Sequence, residues 1–277
     1  MKIGVSAFAW SNVFRPADLE ILPRVRDLGF EGFEIPMFFP GDLAVAELRR
    51  GFEANGLACT ICAILPPGIN PISPDAETRK RSREHLASCI KTAAELGAHL
   101  LGGPLFAPIG YLPGHRPTAD EWAWAVEAFQ SVAPLLEQHA VTLSIEPVNR
   151  SETFLIRTAE EALRLCGDVA SPHVGVTIDT FHANIEEKSI PAALQLLGTR
   201  LTHVHLSEND RGLLGSGHVD FPQILSTLRA MEYEGFVVIE GFGYSPDRIH
   251  APGWLWADPA VSPDDLAASG MAYLRQL

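Results

Sequence analysis

Apolar positions along the chain gather into short runs of β-type composition: KIGVSAF from Lys2, FEGFEI from Phe30, LACTICAI from Leu57, HLLGGPL from His99, VTLSIEP from Val141, VGVTIDT from Val174, LTHVHLS from Leu201 and FVVIEGF from Phe236. Each is rich in Val, Ile, Leu or Phe and has the length of a strand buried on both faces. The segments between them carry helical punctuation. Thr118 with Glu121 and Thr158 with Glu161 have the spacing of capping boxes, Ser73-Pro74 and Ser262-Pro263 read as an N-cap followed by an N1 proline, and Gly97 would stop the helix that begins near Pro74.

A strand–helix unit recurs about every thirty to forty residues, an alternation that predicts a parallel sheet covered by helices. Eight such units close into a barrel, so the expected fold class is α/β, a (β/α)8 barrel, with residues 1–277 forming one domain. An open doubly wound sheet would bring a glycine-rich phosphate loop after an early strand, and SAFAWSN after the first run has none. The GSG at Gly215 to Gly217 reads as a turn before the next helix.

Composition narrows the partners. Lys plus Arg number 21 against 34 Asp plus Glu, a net charge of -13 that opposes nucleic acid and anionic membrane surfaces and favours a small neutral substrate. The start, MKIGVSAFAW, lacks the pattern of a signal peptide and no run reaches transmembrane length, so a soluble cytoplasmic protein is expected. Cys59 and Cys62 form a CTIC pair inside a strand run, where residues three apart face opposite ways; with Cys89 and Cys166 they are read as core residues, and no disulfide is expected.

Candidate chemistry lies in the last four runs, each of which delivers a polar side chain at its C-terminal end: Glu146, Asp179, His205 and Glu240. In a parallel barrel these ends share the rim where active sites sit. Alternation places Thr142, Ser144 and Glu146 on one face, as it does Gly175, Thr177 and Asp179, or Phe236, Val238 and Glu240. Carboxylates converging without a counter-charge repel, and burying them unpaired costs several kcal/mol or forces protonation. A divalent cation resolves the conflict, and oxygen-rich ligation with one imidazole suits Mn, Mg or Co, with Zn behind them in the absence of thiolates. Any one of these residues alone reads equally well as a strand cap or the partner of a rim arginine. His203 shares the face of His205 one layer deeper and reads as a hydrogen-bonded core histidine, whereas His182 follows Asp179 and is placed to face a substrate.

Through EPVNRSE, DTFHANIEE, HVHLSENDRG, GSGHVDF and IEGF the sequence resembles the ketose 3-epimerases of the D-tagatose and D-psicose type, within the xylose isomerase-like TIM-barrel superfamily. The resemblance covers the C-terminal half; upstream, the EGFEI neighbourhood is its clearest piece. It implies that Glu146, Asp179, His205 and Glu240 ligate the metal, most often Mn or Co, and that Glu146 and Glu240 are also the catalytic acid–base pair. Glu152, His182 and Arg211 match residues that contact the sugar. The implied reaction is metal-dependent inversion at C3 of a free ketose through a cis-enediolate, by a homodimer or homotetramer. The sequence departs from the family at Gly241, where proline is common, and in the loops FAPIGYLPGHRPT and GYSPDRIHAPGWLWADP. Trp10, Glu34, Phe106, Trp254 and Trp256 are candidates for lining the pocket.

The same carboxylates and metal would also serve an aldose–ketose isomerase of the hydroxypyruvate or erythrulose kind, or a keto-inositol dehydratase. A nuclease of similar fold would need more metal-binding histidines and a basic surface. A non-catalytic sugar- or metal-binding protein leaves two carboxylates from well-separated strands without a task.

Overall fold

The first and last strands of the molecule lie side by side, Lys2 opposite Phe236, and their pairing closes the sheet. The computed structural model describes residues 1–242 and 261–277. Its strands are β1 (Lys2–Ser6), β2 (Gly32–Met37), β3 (Ala58–Ala63), β4 (Leu100–Gly103), β5 (Thr142–Ile145), β6 (Val174–Asp179), β7 (Leu201–Leu206) and β8 (Phe236–Ile239), all parallel and each beside its sequence neighbour in a closed barrel. Every strand coincides with one of the apolar runs. β2 and β6 are buried at every position, as strands covered by helices on one side and packed inside a barrel on the other must be.

The surrounding layer contains α1 (Ile21–Asp27), α2 (Val45–Asn55), α3 (Ala76–Leu96), α4 (Ala119–His139), α5 (Ala159–Val169), α6 (Thr180–Glu186), α7 (Ile190–Leu197), α8 (Phe221–Ala230) and α9 (Pro263–Leu274). Among the described residues no helix is long and apolar enough to cross a membrane. All four cysteines are free and buried.

Local signals set most of the helix ends. Thr118 and Thr158 cap α4 and α5 in reciprocal capping boxes with Glu121 and Glu161, Ser262 caps α9, and Gly97 ends α3 in the left-handed conformation. One start differs from expectation. The N-cap of α3 is Asp75 rather than Ser73: its carboxylate accepts the Thr78 N–H at 2.8 Å, while Ser73 Oγ is spent one turn earlier on the Asp75 N–H at 3.2 Å. Thr158→Ala removes the side-chain acceptor for the Glu161 N–H and is expected to cost about 1 kcal/mol of stability, read from the midpoint of chemical denaturation.

Inside the barrel, hydroxyls replace apolar packing on the β5–β7 side. Thr177 Oγ1 donates to Ser144 Oγ at 2.7 Å, and Ser144 Oγ lies 2.7 Å from Thr202 Oγ1. A register shift between Val176 and Thr177 sets β7 so that His203 pairs with Thr177 and His205 with Asp179. That offset brings both histidines into the interior, where they meet residues from across the barrel.

Candidate active site

Glu146 directly follows β5, Asp179 ends β6, His205 is the penultimate residue of β7 and Glu240 directly follows β8. Four neighbouring strands thus raise four ligand-type side chains on one rim. All are buried: Glu146 and Glu240 are 4% exposed, Asp179 1% and His205 0%. His205 Nδ1 lies 3.1 Å from Glu146 Oε1 and 3.6 Å from Glu240 Oε1, while Asp179, His205 and Glu240 offer ligand atoms all within 4.8 Å of one another. Asp179 Oδ1 accepts the Phe181 N–H at 2.9 Å; its Oδ2 is buried and has no hydrogen-bond partner among the described residues.

The electrostatics ask for positive charge at this point. Burial, then the neighbouring Glu240, holds the Asp179 carboxyl well above the usual carboxylate range despite Arg211 nearby. Burial alone would push the His205 imidazole down, but Glu34, Glu240 and Glu146 together raise it well above its ordinary value. Three carboxylates and one imidazole nitrogen, with an orphaned carboxylate oxygen among them, form a donor set that fits a hard divalent cation such as Mn, Co or Mg.

Beneath this cluster lies a residue whose place differs from the sequence expectation. Glu34, on β2, does not line the pocket. It is 0% exposed, with Oε2 2.8 Å from His203 Nε2 and Oε1 3.0 Å from His205 Nε2; Thr60 Oγ1 donates to Oε2 at 3.3 Å. Burial would raise its carboxyl, yet the facing imidazoles of His205 and His203 outweigh burial and hold it well below the carboxylate range. By occupying the Nε2 side of His205, Glu34 leaves Nδ1 turned toward Glu146 and Glu240. Glu34 Oε1 and His205 Nε2 are in ion-pair contact without hydrogen-bond alignment, so Glu34 acts on His205 through charge and close approach, on the side of the ring opposite the rim carboxylates.

Above the cluster stand the residues expected to meet a substrate. Arg211 is buried, with Nη1 2.8 Å from Glu240 Oε2 and 3.8 Å from Asp179 Oδ2, and its guanidinium lies 4.0 Å from the ring centroid of Phe181 and 4.5 Å from that of Phe242. Burial, then Arg211 and His205, drives the His182 imidazole well below its usual value, which favours the neutral ring. The Asn149 backbone N–H donates to its Nδ1 at 3.1 Å, which leaves the ring proton on Nε2. Nε2 lies 3.6 Å from Asp179 Oδ2; Arg211 Nη2, also a donor, stands 3.4 Å away and makes no hydrogen bond with a protonated Nε2. Glu146, Asp179 and His182 also come close enough to share an ion, but a protonated Nε2 makes His182 a hydrogen-bond donor rather than a ligand. Arg211 and His182 therefore aim two donors into the same space.

Glu152 is half-buried on the β5–α5 loop. Burial raises its carboxyl, with Arg211 opposing, and Asn149 Nδ2 donates to Oε1 at 3.2 Å. The loop Phe106 to Thr118 braces it: the Gly110 N–H donates to the Glu152 carbonyl at 2.7 Å, and Tyr111 bridges to Thr153. Glu146, Glu152, His182, Arg211 and Glu240 form the polar wall of the pocket; Phe8, Cys62, Ile64, Ile109 and Phe242 form the apolar wall.

Two of the aromatic candidates fall elsewhere. Trp10 packs on Phe33 and donates its indole N–H to Asp264 at 2.8 Å, away from the pocket. Phe106 is fully buried in the main core, in the turn that follows β4. Trp254 and Trp256 lie outside the described residues. The apolar wall itself was missed, because its members come from the ends of β1, β3 and β8 and from a loop, and nothing in their spacing sets them apart from core. A separate cavity of about 820 Å³ opens at the opposite end of the barrel, lined by Lys2, Thr60, His99, Thr142 and Tyr233 among others, far from the converging carboxylates.

Comparison with known proteins agrees with this geometry. Residues 22–277 match the family described as xylose isomerase-like TIM barrel. A probable ketose 3-epimerase of Synechocystis is 30% identical over 276 residues, spanning 100% of this chain and 96% of the relative. An L-ribulose 3-epimerase of Mesorhizobium japonicum is 32% identical, covering 87% of this chain and 81% of its own. Among solved structures, a D-allulose 3-epimerase of Methylomonas in complex with D-allulose superposes with a TM-score of 0.93 at 26% identity, covering 100% of this chain and 96% of that one. A closed eight-stranded barrel, a rim of buried carboxylates and full-length similarity at this level place the chain among the enzymes of the ketose 3-epimerase family, within the xylose isomerase-like TIM barrels.

Proposed function

We propose that the chain inverts C3 of a free ketose, with Glu146, Asp179, His205 and Glu240 holding a divalent cation, Mn in the first instance. The observation that carries this reading is the convergence of Glu146 and Glu240 from strands that are not adjacent, 3.1 Å and 3.6 Å from the same His205 nitrogen. Inversion needs a proton removed from one face of a carbon and another delivered to the opposite face.

A cation bound here would act as a Lewis acid on the sugar's C2 and C3 oxygens and make the C3 proton more acidic. One of the two glutamates takes that proton as a carboxylate, leaving a cis-enediolate; the other, starting as the acid, returns a proton to the far face. At the end of the turnover the two have exchanged protonation states, so the reverse reaction uses the same pair in opposite roles. The His182 Nε2–H and the Arg211 guanidinium donate toward the C2 oxygen as negative charge grows on it. Glu152 accepts from a neighbouring hydroxyl. No cluster of lysines and arginines or glycine-rich cradle appears at the described strand ends, which favours an unphosphorylated sugar.

A panel of tetruloses, pentuloses and hexuloses incubated with Mn in deuterated water tests the reading. Epimerisation places one deuterium on C3 of the product. Label on C1 or C2 would mean aldose–ketose isomerisation, and loss of water by mass would mean dehydration. Chelation followed by gel filtration is expected to abolish turnover, and Mn to restore it; activity that survives complete metal removal sinks the proposed ligand set.

A further inference from the structure

The segment between β7 and α8 carries Arg211 and is organised around one buried carboxylate. Glu208 is 0% exposed. Its Oε1 accepts the Gly215 N–H at 3.1 Å and the Gly217 N–H at 3.0 Å; its Oε2 accepts the Asn209 N–H at 3.0 Å and the Val219 N–H at 3.3 Å. Among the described residues it makes no ion pair, so these backbone amides are what compensate its burial. Its own main-chain carbonyl accepts the Arg211 N–H at 3.0 Å. The GSG motif follows from the same arrangement: a Cβ on Gly217 would stand 2.5 Å from Glu208 Oε2 and collide with Asn209 Oδ1.

Arg211 sits on this hub in a left-handed backbone conformation, φ 58°, which costs free energy for a residue with a Cβ and persists only where surrounding structure dictates it. Phe181, Phe242 and Glu240 hold the guanidinium end, but none of them fixes the backbone from which it departs. Glu208 ties both ends of the segment, Asn209 on one side of Arg211 and Gly215 to Val219 on the other, into a closed loop.

We propose that Glu208 is a positioning residue for Arg211: through this ring of amide hydrogen bonds it fixes the strained backbone that aims the guanidinium at the reacting oxygen. The inference rests on the reading of Arg211 as a substrate contact. Glu208 itself lies outside the pocket lining, and its carboxylate bonds to the amides of Asn209, Gly215, Gly217 and Val219 and not to Glu146, Asp179, His205 or Glu240.

The test is a double-mutant cycle on the Mn-loaded enzyme with a ketose it turns over. Glu208→Gln keeps the shape but turns an amide NH2 toward a backbone N–H, and is expected to lower kcat about tenfold to a hundredfold, the effect of a small misplacement near the chemistry. In an Arg211→Ala background the same change is expected to cost less than about threefold, because the group being aimed is gone. Manganese affinity by calorimetry is expected to stay within about twofold of the parent in both backgrounds. If the Gln variant does not fold, Glu208→Asp, which keeps the charge one methylene short, carries the same comparison. Equal kcat losses in both backgrounds, a parallel loss of manganese affinity, or a fully active Asp variant in that role would each overturn the proposal. Full turnover by Arg211→Ala alone would instead overturn the substrate-contact reading on which it rests.

Discussion

Replacing Glu240 or Glu146 by glutamine is expected to lower kcat by about 10²- to 10⁴-fold, the range supplied by a positioned acid–base group. The two variants should differ in an informative way. Glu240 Oε2 also anchors Arg211 at 2.8 Å, whereas Glu146 does not, so Glu240→Gln is expected to raise KM more than Glu146→Gln. On the proposed chemistry each variant inverts only at that residual rate because one face of C3 has lost its proton donor or acceptor, yet the surviving carboxylate can still take the C3 proton from one of the two epimers and return a solvent deuteron to the same face. Deuterium incorporation faster than epimerisation, seen with one epimer for Glu146→Gln and with the opposite epimer for Glu240→Gln, is the expected signature by mass spectrometry and NMR. Exchange from the same epimer in both variants would falsify the assignment of opposite faces, and wild-type turnover by either would remove that residue from the chemistry.

Glu34 is expected to produce the second large effect although it does not face the pocket. Glu34→Gln keeps the volume but removes the charge that holds two imidazoles in place, and manganese affinity by calorimetric titration is expected to fall about 10- to 100-fold, the usual consequence of losing a carboxylate behind a ligating histidine. Glu34→Ala goes further. It leaves His203 and His205 without their shared buried partner and opens a gap in the barrel, with an expected loss of about 3–5 kcal/mol in chemical denaturation of the metal-free protein. Unchanged manganese affinity in Glu34→Gln would show that the orientation of His205 is set by other contacts.

The strands and the rim were legible in the chain because each follows from a local rule. A strand buried on both faces is a short apolar run, and a polar side chain at its C-terminal end interrupts that run at a fixed parity, which is why Glu146, Asp179, His205 and Glu240 could be singled out before any coordinates. Glu34 was visible as well, a charge between Phe33 and Ile35 in a run otherwise suited to burial, but its meaning was not. Its partner His203 is 169 residues away and reaches it only because the barrel closes and β7 carries a register shift. Periodicity within a segment cannot encode a contact across the barrel. Phe106 was misplaced for a related reason: an aromatic after a strand end suits the pocket and the main core alike, and it is fully buried in the latter. Glu208 went unread because a buried carboxylate that serves only backbone amides leaves no charged partner in the sequence to reveal it.

The two walls of the pocket come from different stretches of chain. Polar residues from β5 onward build one, and the other is largely the work of Phe8, Cys62, Ile64 and Ile109, all from the first half of the polypeptide. On the proposed chemistry, the identity of the sugar's distal carbons is judged by side chains that take no part in moving protons. Among the described residues, a library aimed at a different ketose can therefore begin at those early positions without touching the groups proposed to move protons.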